Sequence, residues 1–302
     1  MSSPFRLAAP VPARLVPYIY AAPAILIMLA GLLYPIVKAV NLSLYEWQLG
    51  TPWTSARFVG VGEFAMLFSD PTVWTSLGVT IGYVLLAVAS EMVLGIGLAL
   101  LLERPVRGMR VFRTIFVLPM MIAPICVGLI WRYLFDAQYG PINHLARFLS
   151  LPTPAWLGEP GLAFAALIIT DVWQWTPFVL IMVLAALQGL NPSVTEAARI
   201  DGASLWQLIW LVKLPMIKPI LIVTLLMRMI DGFRGLEVVY VMTFGGPGQA
   251  TDLFSLFIYK AAFISQRLGL ASALSVVLLV IVSVLSLAVL RLSNPMKVVR
   301  HG

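Results

Sequence analysis

One cysteine and two histidines are all that the 302 residues offer in the way of soft metal ligands and thiol or imidazole chemistry. Cys126 stands alone, so it can form neither an intramolecular disulfide nor a multi-cysteine metal site, and inside an apolar run it reads as a small core residue. His144 and His301 fall in a loop and a tail, where a solvated role suffices. No H-E-x-x-H and no G-x-S-x-G is present, which removes the common signatures of a zinc peptidase or a serine hydrolase embedded in a membrane. No G-x-x-x-x-G-K-[ST] is present either, so the chain carries no phosphate-cradling loop of its own. Charge is scarce: 11% of residues are charged, where a soluble domain carries about 25%. The net charge of +7 sits mostly in short loops between apolar runs, so topology accounts for it better than a nucleic-acid surface does.

What is abundant is apolar sequence, 61% of the chain, in long unbroken runs. Hydrocarbon offers no hydrogen-bond partner, so only helices or closed barrels cross it, and a helix needs about 20 apolar residues to do so. Unbroken rather than alternating runs argue for helices. The reading is an all-α membrane protein with six transmembrane helices, roughly 18–40, 76–102, 114–134, 163–190, 216–236 and 270–291. The first run is too long for the apolar core of a signal peptide and is read as a retained span. The organisation expected is a tail over 1–17, a membrane domain over 18–291 and a second tail over 292–302.

Basic residues fix an expected orientation. With the N-terminus inside, the inner segments hold Arg6, Arg14, Arg104, Arg107, Arg110, Arg113, Arg199, Lys213, Lys218, Arg291, Lys297 and Arg300. The outer segments hold only Arg57, Arg147, Arg234, Lys260 and Arg267. Both termini are therefore expected in the cytoplasm. Trp47, Trp53, Trp74, Trp131, Tyr133 and Trp156 fall at or near outer span ends, as an interfacial aromatic belt would. Pro23, Pro35, Pro119, Pro124, Pro177 and Pro219 lie in or beside the spans and are candidates for kinks.

The loop between the fourth and fifth spans, over 191–219, is the most informative stretch. It reads Glu196-Ala197-Ala198-Arg199-Ile200-Asp201-Gly202-Ala203, and nine residues separate Gly202 from Val212-Lys213-Leu214-Pro215. Asn191-Pro192 or Ser193 can start a short helix, and Ser193 and Glu196 have capping-box spacing. Ala197 and Ala198 favour helix and keep its surface small. Gly202 permits a sharp turn and close approach of another surface. Leu205, Leu208, Ile209 and Val212 at helical spacing predict a second helix against the inner membrane face, ended by Leu214-Pro215.

This loop resembles the EAA signature of ABC importer permeases, in which EAA is followed by three residues, Gly, nine residues, Ile, one residue and Leu-Pro. Val212 replaces the isoleucine, a conservative departure. Leu118-Pro119, Gly128-Leu129-Ile130-Trp131-Arg132, Tyr139-Gly140-Pro141-Ile142-Asn143, Trp173-Gln174-Trp175-Thr176-Pro177-Phe178, Leu187-Gln188-Gly189-Leu190 and Thr243-Phe244-Gly245-Gly246-Pro247 are similar to the sugar-type, maltose and glycerol-phosphate branch of that family. The resemblance implies a type I importer permease fold with no catalytic residues and no cofactor or metal in this chain. It implies ATP and Mg bound by two separate ATP-binding subunits, a second homologous permease, an extracytoplasmic solute-binding protein and the bacterial inner membrane as the setting. It also implies that Glu196, Ala197, Ala198, Asp201, Gly202 and Ala203 form the coupling helix that docks on an ATPase.

Polar groups at membrane depth are costly and mark function. Asp171, Trp173, Gln174 and Trp175 in the fourth span form one candidate solute surface, since indoles stack on sugar rings and carboxylates and amides bind hydroxyls. Arg228, Asp231, Arg234 and Glu237 follow at three-residue steps and can pair along one helix face, either as a structural ladder or, through Arg228 and Asp231, as a cavity wall. Glu91 in the second span reads as a buried helix contact. Gly245-Gly246-Pro247 is read as a tight turn or a docking point for the binding protein. The solute class left open includes saccharides, polyols and phosphorylated or sulfonated sugars. The competing reading is a self-sufficient secondary transporter, which calls for internal repeats with matching broken helices.

Overall fold

The computed structural model describes residues 16–103 and 108–293. Most of the two expected tails, and Arg104 and Arg107, lie outside the described residues. Four helices are continuous and long enough to cross a bilayer: α1 (Val16–Leu42), α3 (Pro71–Leu102), α7 (Pro160–Gln188) and α14 (Leu268–Ser293). The third expected span is broken, and the fifth begins at a bend.

In the third, α4 (Met109–Met121) and α5 (Pro124–Leu134) meet at 101°. Pro124 opens α5, and the residue before it, Ala123, is pushed to ψ 133, out of the helical region. In the fifth, the helical stretch Leu205–Met216 meets Lys218–Met242 at 71°, with the bend at Ile217. That second stretch comprises α11 (Lys218–Arg234) and the short α12 (Glu237–Met242). By contrast, α1 runs through Pro23 and Pro35, and α7 through Pro177, without a break. Proline thus bends the chain at two of the sites the sequence offered and not at the others.

The knob between α7 and α11 differs in detail from its sequence reading. α8 (Pro192–Ile200) is capped by Asn191, whose side chain accepts from the Ser193 amide, not by Ser193. The capping box forms one helix later, between Ser204 and Gln207 at the start of α9 (Leu205–Gln207). Leu214-Pro215 does not end the second helix. After α9 the chain makes a π-helical stretch, Leu208–Lys213, and continues as α10 (Leu214–Met216) before turning.

At the opposite end lie a two-stranded ribbon, β1 (Tyr45–Glu46) with β2 (Arg57–Phe58), and the short helices α2 (Gly62–Ser69) and α6 (Pro141–Phe148). This ribbon and an isolated antiparallel bridge between Gln48 and Arg267 are the departures from an all-helical chain among the described residues. α13 (Phe254–Tyr259), extended by a π-helical stretch to Ile264, leads back to α14.

The packed centre is made by α3, α7 and α11, joined by α12 and α5. Tyr83, Val84 and Val88 of α3 meet Ala166 and Leu167 of α7, Phe233 of α11, and Val239 and Met242 of α12. Nearer the knob, Ala99 of α3 packs with Val179, Leu180 and Val183 of α7. α1 lies outside this centre, against α14 and β1. Its apolar side chains stay exposed, as lipid contact requires.

Candidate functional site

Arg228 on α11 organises the middle of the bundle. Its guanidinium is 2% exposed, a costly position unless every donor is paired. Three helices supply the partners. Glu91 of α3 accepts from Nε at 2.7 Å and from Nη2 at 3.0 Å. Asp171 of α7 accepts from Nη2 at 3.2 Å, and Asp231, one turn along α11, accepts from Nη1 at 2.6 Å. The Trp175 ring lies 4.6 Å from the guanidinium carbon, in cation–π range.

Of the three-residue ladder read from sequence, the Arg228–Asp231 rung forms. The ladder cannot continue, because α11 ends at Arg234 and Glu237 opens a new helix. Glu237 Oε2 instead accepts from the Leu236 amide at 3.3 Å.

Beside this cluster lies a cavity of about 200 Å³ lined by Asp171, Gln174, Trp175 and Asp231, with Tyr83, Arg234 and Glu237. Gln174 is fully buried and donates its amide to the Ile122 carbonyl at 3.2 Å, which ties α7 to the break in the third span. Its other end, Oε1, has no hydrogen-bond partner among the described residues. The structure therefore gathers Asp171, Gln174, Trp175 and Asp231 around one space, with Arg228 buried behind it and paired to both carboxylates. Trp173 is placed elsewhere. It turns to the other side of α7, 39% exposed, with its ring 5.6 Å from that of Trp131.

The knob presents a different surface. None of the α8 residues is buried. Glu196, Ala197, Asp201 and Gly202 are exposed, and Ala198 and Ala203 are partly covered. The apolar side chain of Ile200 is 86% exposed. α8 ends in a Schellman turn: the Gly202 amide donates to the Arg199 carbonyl at 3.0 Å and the Ala203 amide to the Ala198 carbonyl at 3.0 Å. Gly202 has φ +83°, where a side chain is strained even though a Cβ would meet nothing within 4 Å. Glycine at 202 is required by backbone conformation, and the knob's tip is correspondingly small.

At the far end of the bundle, Gly246 and Pro247 line an open cavity of about 530 Å³ with Arg132, Asp136 and Met242. Gly245 is buried beneath Lys260, whose ammonium pairs with Asp252 at 3.0 Å. Sequence reasoning read Glu91 as a buried helix contact but missed that its partner is Arg228 of the fifth span. Two opposite charges at matching membrane depth are the signal that pointed there.

Related proteins carry the same architecture. The chain is 33% identical over 265 residues to the trehalose/maltose transport system permease protein MalF of Thermococcus litoralis, covering 88% of this chain and 89% of that one. It is 34% identical over 279 residues to the trehalose transport system permease protein SugA of Mycobacterium tuberculosis, covering 92% and 89%. A subunit of the crystal structure of a bacterial alginate ABC transporter superposes with a TM-score of 0.81 at 23% identity, covering 93% of this chain and 94% of that one. That likeness establishes a shared fold. Residues 91–296, which take in the Glu91 carboxylate, the cavity and the knob, match the family described as binding-protein-dependent transport system inner membrane component, and with these relatives they show that the chain is a multi-pass inner-membrane member of that family.

Proposed function

We propose that this chain is one of two pore subunits of an ATP-driven importer for a neutral, hydroxyl-rich sugar. The observation that carries the solute reading is the central cavity. A ring face (Trp175), carboxylates (Asp171 and Asp231) and a buried amide oxygen without a partner (Gln174) converge on it. Such a set suits a sugar, whose rings offer apolar faces to stack and hydroxyls to donate. On the cavity wall, Asp171, Asp231 and Glu237 outnumber Arg234, so the wall is acid-rich and favours an uncharged solute over a phosphorylated or sulfonated one. The names of the relatives, which handle trehalose and maltose, support the same class.

The knob is assigned to coupling. Glu196, Ala197, Ala198, Asp201, Gly202 and Ala203 form a small, exposed helical surface of the kind another protein can grip. In this reading both termini and the knob face the cytosol, where each of two ATP-binding subunits holds ATP and Mg and one of them receives α8. A second, homologous permease completes the pore. The Gly245-Gly246-Pro247 turn meets an extracytoplasmic solute-binding protein.

Affinity purification from detergent-solubilised membranes tests the assembly. An ATP-hydrolysing subunit and a second permease are expected to co-purify, with uptake strictly dependent on ATP. A chain that purifies alone and moves sugar down an ion gradient would be a secondary transporter, and the proposal would fall.

A further inference from the structure

α3 carries a carboxylate at each of two levels. Glu91, in its middle, grips Arg228 beside the cavity. Glu103, which caps its knob end, grips Lys213, the last residue of the π-helical stretch that follows α9. The twelve helical steps from Glu91 to Glu103 span about 18 Å. The Lys213–Glu103 pair is well covered, with side chains 10% and 23% exposed. At that exposure it is less screened than a surface pair, and losing one partner strands the other.

The surroundings give the pair a mechanical position. α8 packs against the π-helical stretch Leu208–Lys213, so a push on α8 arrives there first. Glu103 and Lys213 line one cavity of about 610 Å³ together with Glu196 and Arg199 of α8 and Leu208 of the π-helical stretch. The cavity leaves α8 room to shift, while the ion pair fixes the π-helical stretch to α3. α3 in turn packs along α7 and against α11, the two other helices that hold the Arg228 cluster. π-helical stretches inside helices are strained and recur at functional sites.

We propose that Glu103 and Lys213 form the strut that passes displacement of the knob into α3, and through Glu91 to the Arg228 cluster at the cavity. They act as positioning residues and touch neither solute nor nucleotide. The inference rests on the coupling role proposed for α8, and its test separates the two.

The experiment uses the full complex with its ATP-binding subunits and binding protein in lipid vesicles, in a Cys126→Ser background carrying Val238→Cys. Val238 lines the central cavity, so the labelling rate of its thiol by a membrane-impermeant maleimide reports cavity access. Nucleotide trapped with vanadate is measured on the same sample. In the parent complex, ATP and vanadate are expected to change the labelling rate at least about tenfold. In Glu103→Gln, nucleotide trapping should stay within about twofold of the parent while the labelling change shrinks about fivefold or more, the size of a single coupling interaction. The exchanged pair Glu103→Lys with Lys213→Glu should restore it, which a purely structural loss would not. A full labelling switch in Glu103→Gln, or an assembled exchanged pair that traps nucleotide without switching, overturns the strut. A parent complex that traps nucleotide with no labelling change overturns the coupling role of the knob itself.

Discussion

Arg228 holds Glu91 by a two-point fork, Nε to Oε2 at 2.7 Å and Nη2 to Oε1 at 3.0 Å, across helices whose residues stand 137 positions apart. Planar, two-point pairing is the geometry a guanidinium provides and an ammonium does not. Removing the cation strands a fully buried carboxylate, an event that costs about 3–5 kcal/mol in other proteins. Arg228→Met is therefore expected to lower the thermal midpoint of the purified complex strongly. Arg228→Lys should fall between it and the parent, because it keeps the charge and loses the fork. Stability of Arg228→Lys equal to the parent's would show that the fork geometry contributes nothing.

Gly202 offers a sharper separation of backbone from bulk. Its φ of +83° strains any residue with a Cβ, by about 1–2 kcal/mol, and least for asparagine. Gly202→Asn should retain most ATPase binding, Gly202→Ala somewhat less. Gly202→Trp, which adds a large ring to an exposed tip, should abolish ATP-coupled uptake. Normal uptake by the Trp variant in reconstituted vesicles would falsify the docking role.

Trp175 stacks on Arg228 and lines the cavity, so it serves both packing and solute contact. Trp175→Ala is expected to raise the KM for sugar uptake about tenfold, the factor that 1.4 kcal/mol represents, with assembly intact on gel filtration. Trp175→Phe should recover part of it. Trp173→Ala, on the other side of α7, should leave KM near the parent value.

Glu63 lies outside the spans, buried in α2, with Arg267 Nη2 at 3.5 Å from its Oε2. Burial raises its carboxyl above the usual carboxylate range, only partly offset by Arg267. A folded-state value above the unfolded one means that the protonated form is favoured on folding. Its contribution is therefore full at low pH and is lost as pH climbs through the raised value. The parent complex should resist heat better at pH 5 than at pH 7 by a margin that shrinks in Glu63→Gln. An unchanged margin in thermal scans at the two pH values would show that Glu63 plays no part in it.

Much of this was readable from residues. Long apolar runs pointed to the four continuous crossings and the two bent pairs, because lipid demands apolar helices, and the spacing from Glu196 to Pro215 pointed to the knob. The breaks were half visible. Pro124 and Pro219 mark them, yet Pro23, Pro35 and Pro177 sit in unbroken helices, so proline alone does not say where a helix bends. Of the two helix starts read from sequence, Asn191 caps α8, and the capping box forms at Ser204 and Gln207 and not at Ser193 and Glu196. Partners across the bundle were beyond reach. Glu91 with Arg228, and Glu103 with Lys213, are pairs that sequence distance hides and only packing creates. Trp173 and Trp175 look alike in sequence, and the helical rotation between them sends one to the cavity and the other away.

Gly269 sits so close to the Tyr45 carbonyl that a Cβ there would collide with it. The Gly269 amide also donates to the Trp47 carbonyl at 3.3 Å, and the ribbon that follows α1 is thereby soldered to the head of α14. The first and last crossings are thus tied together at one edge, with α14 packed on α11 and α13 and the connecting α2 on α3. Rearrangements of the cavity can proceed while this pair keeps its hold on the surrounding lipid.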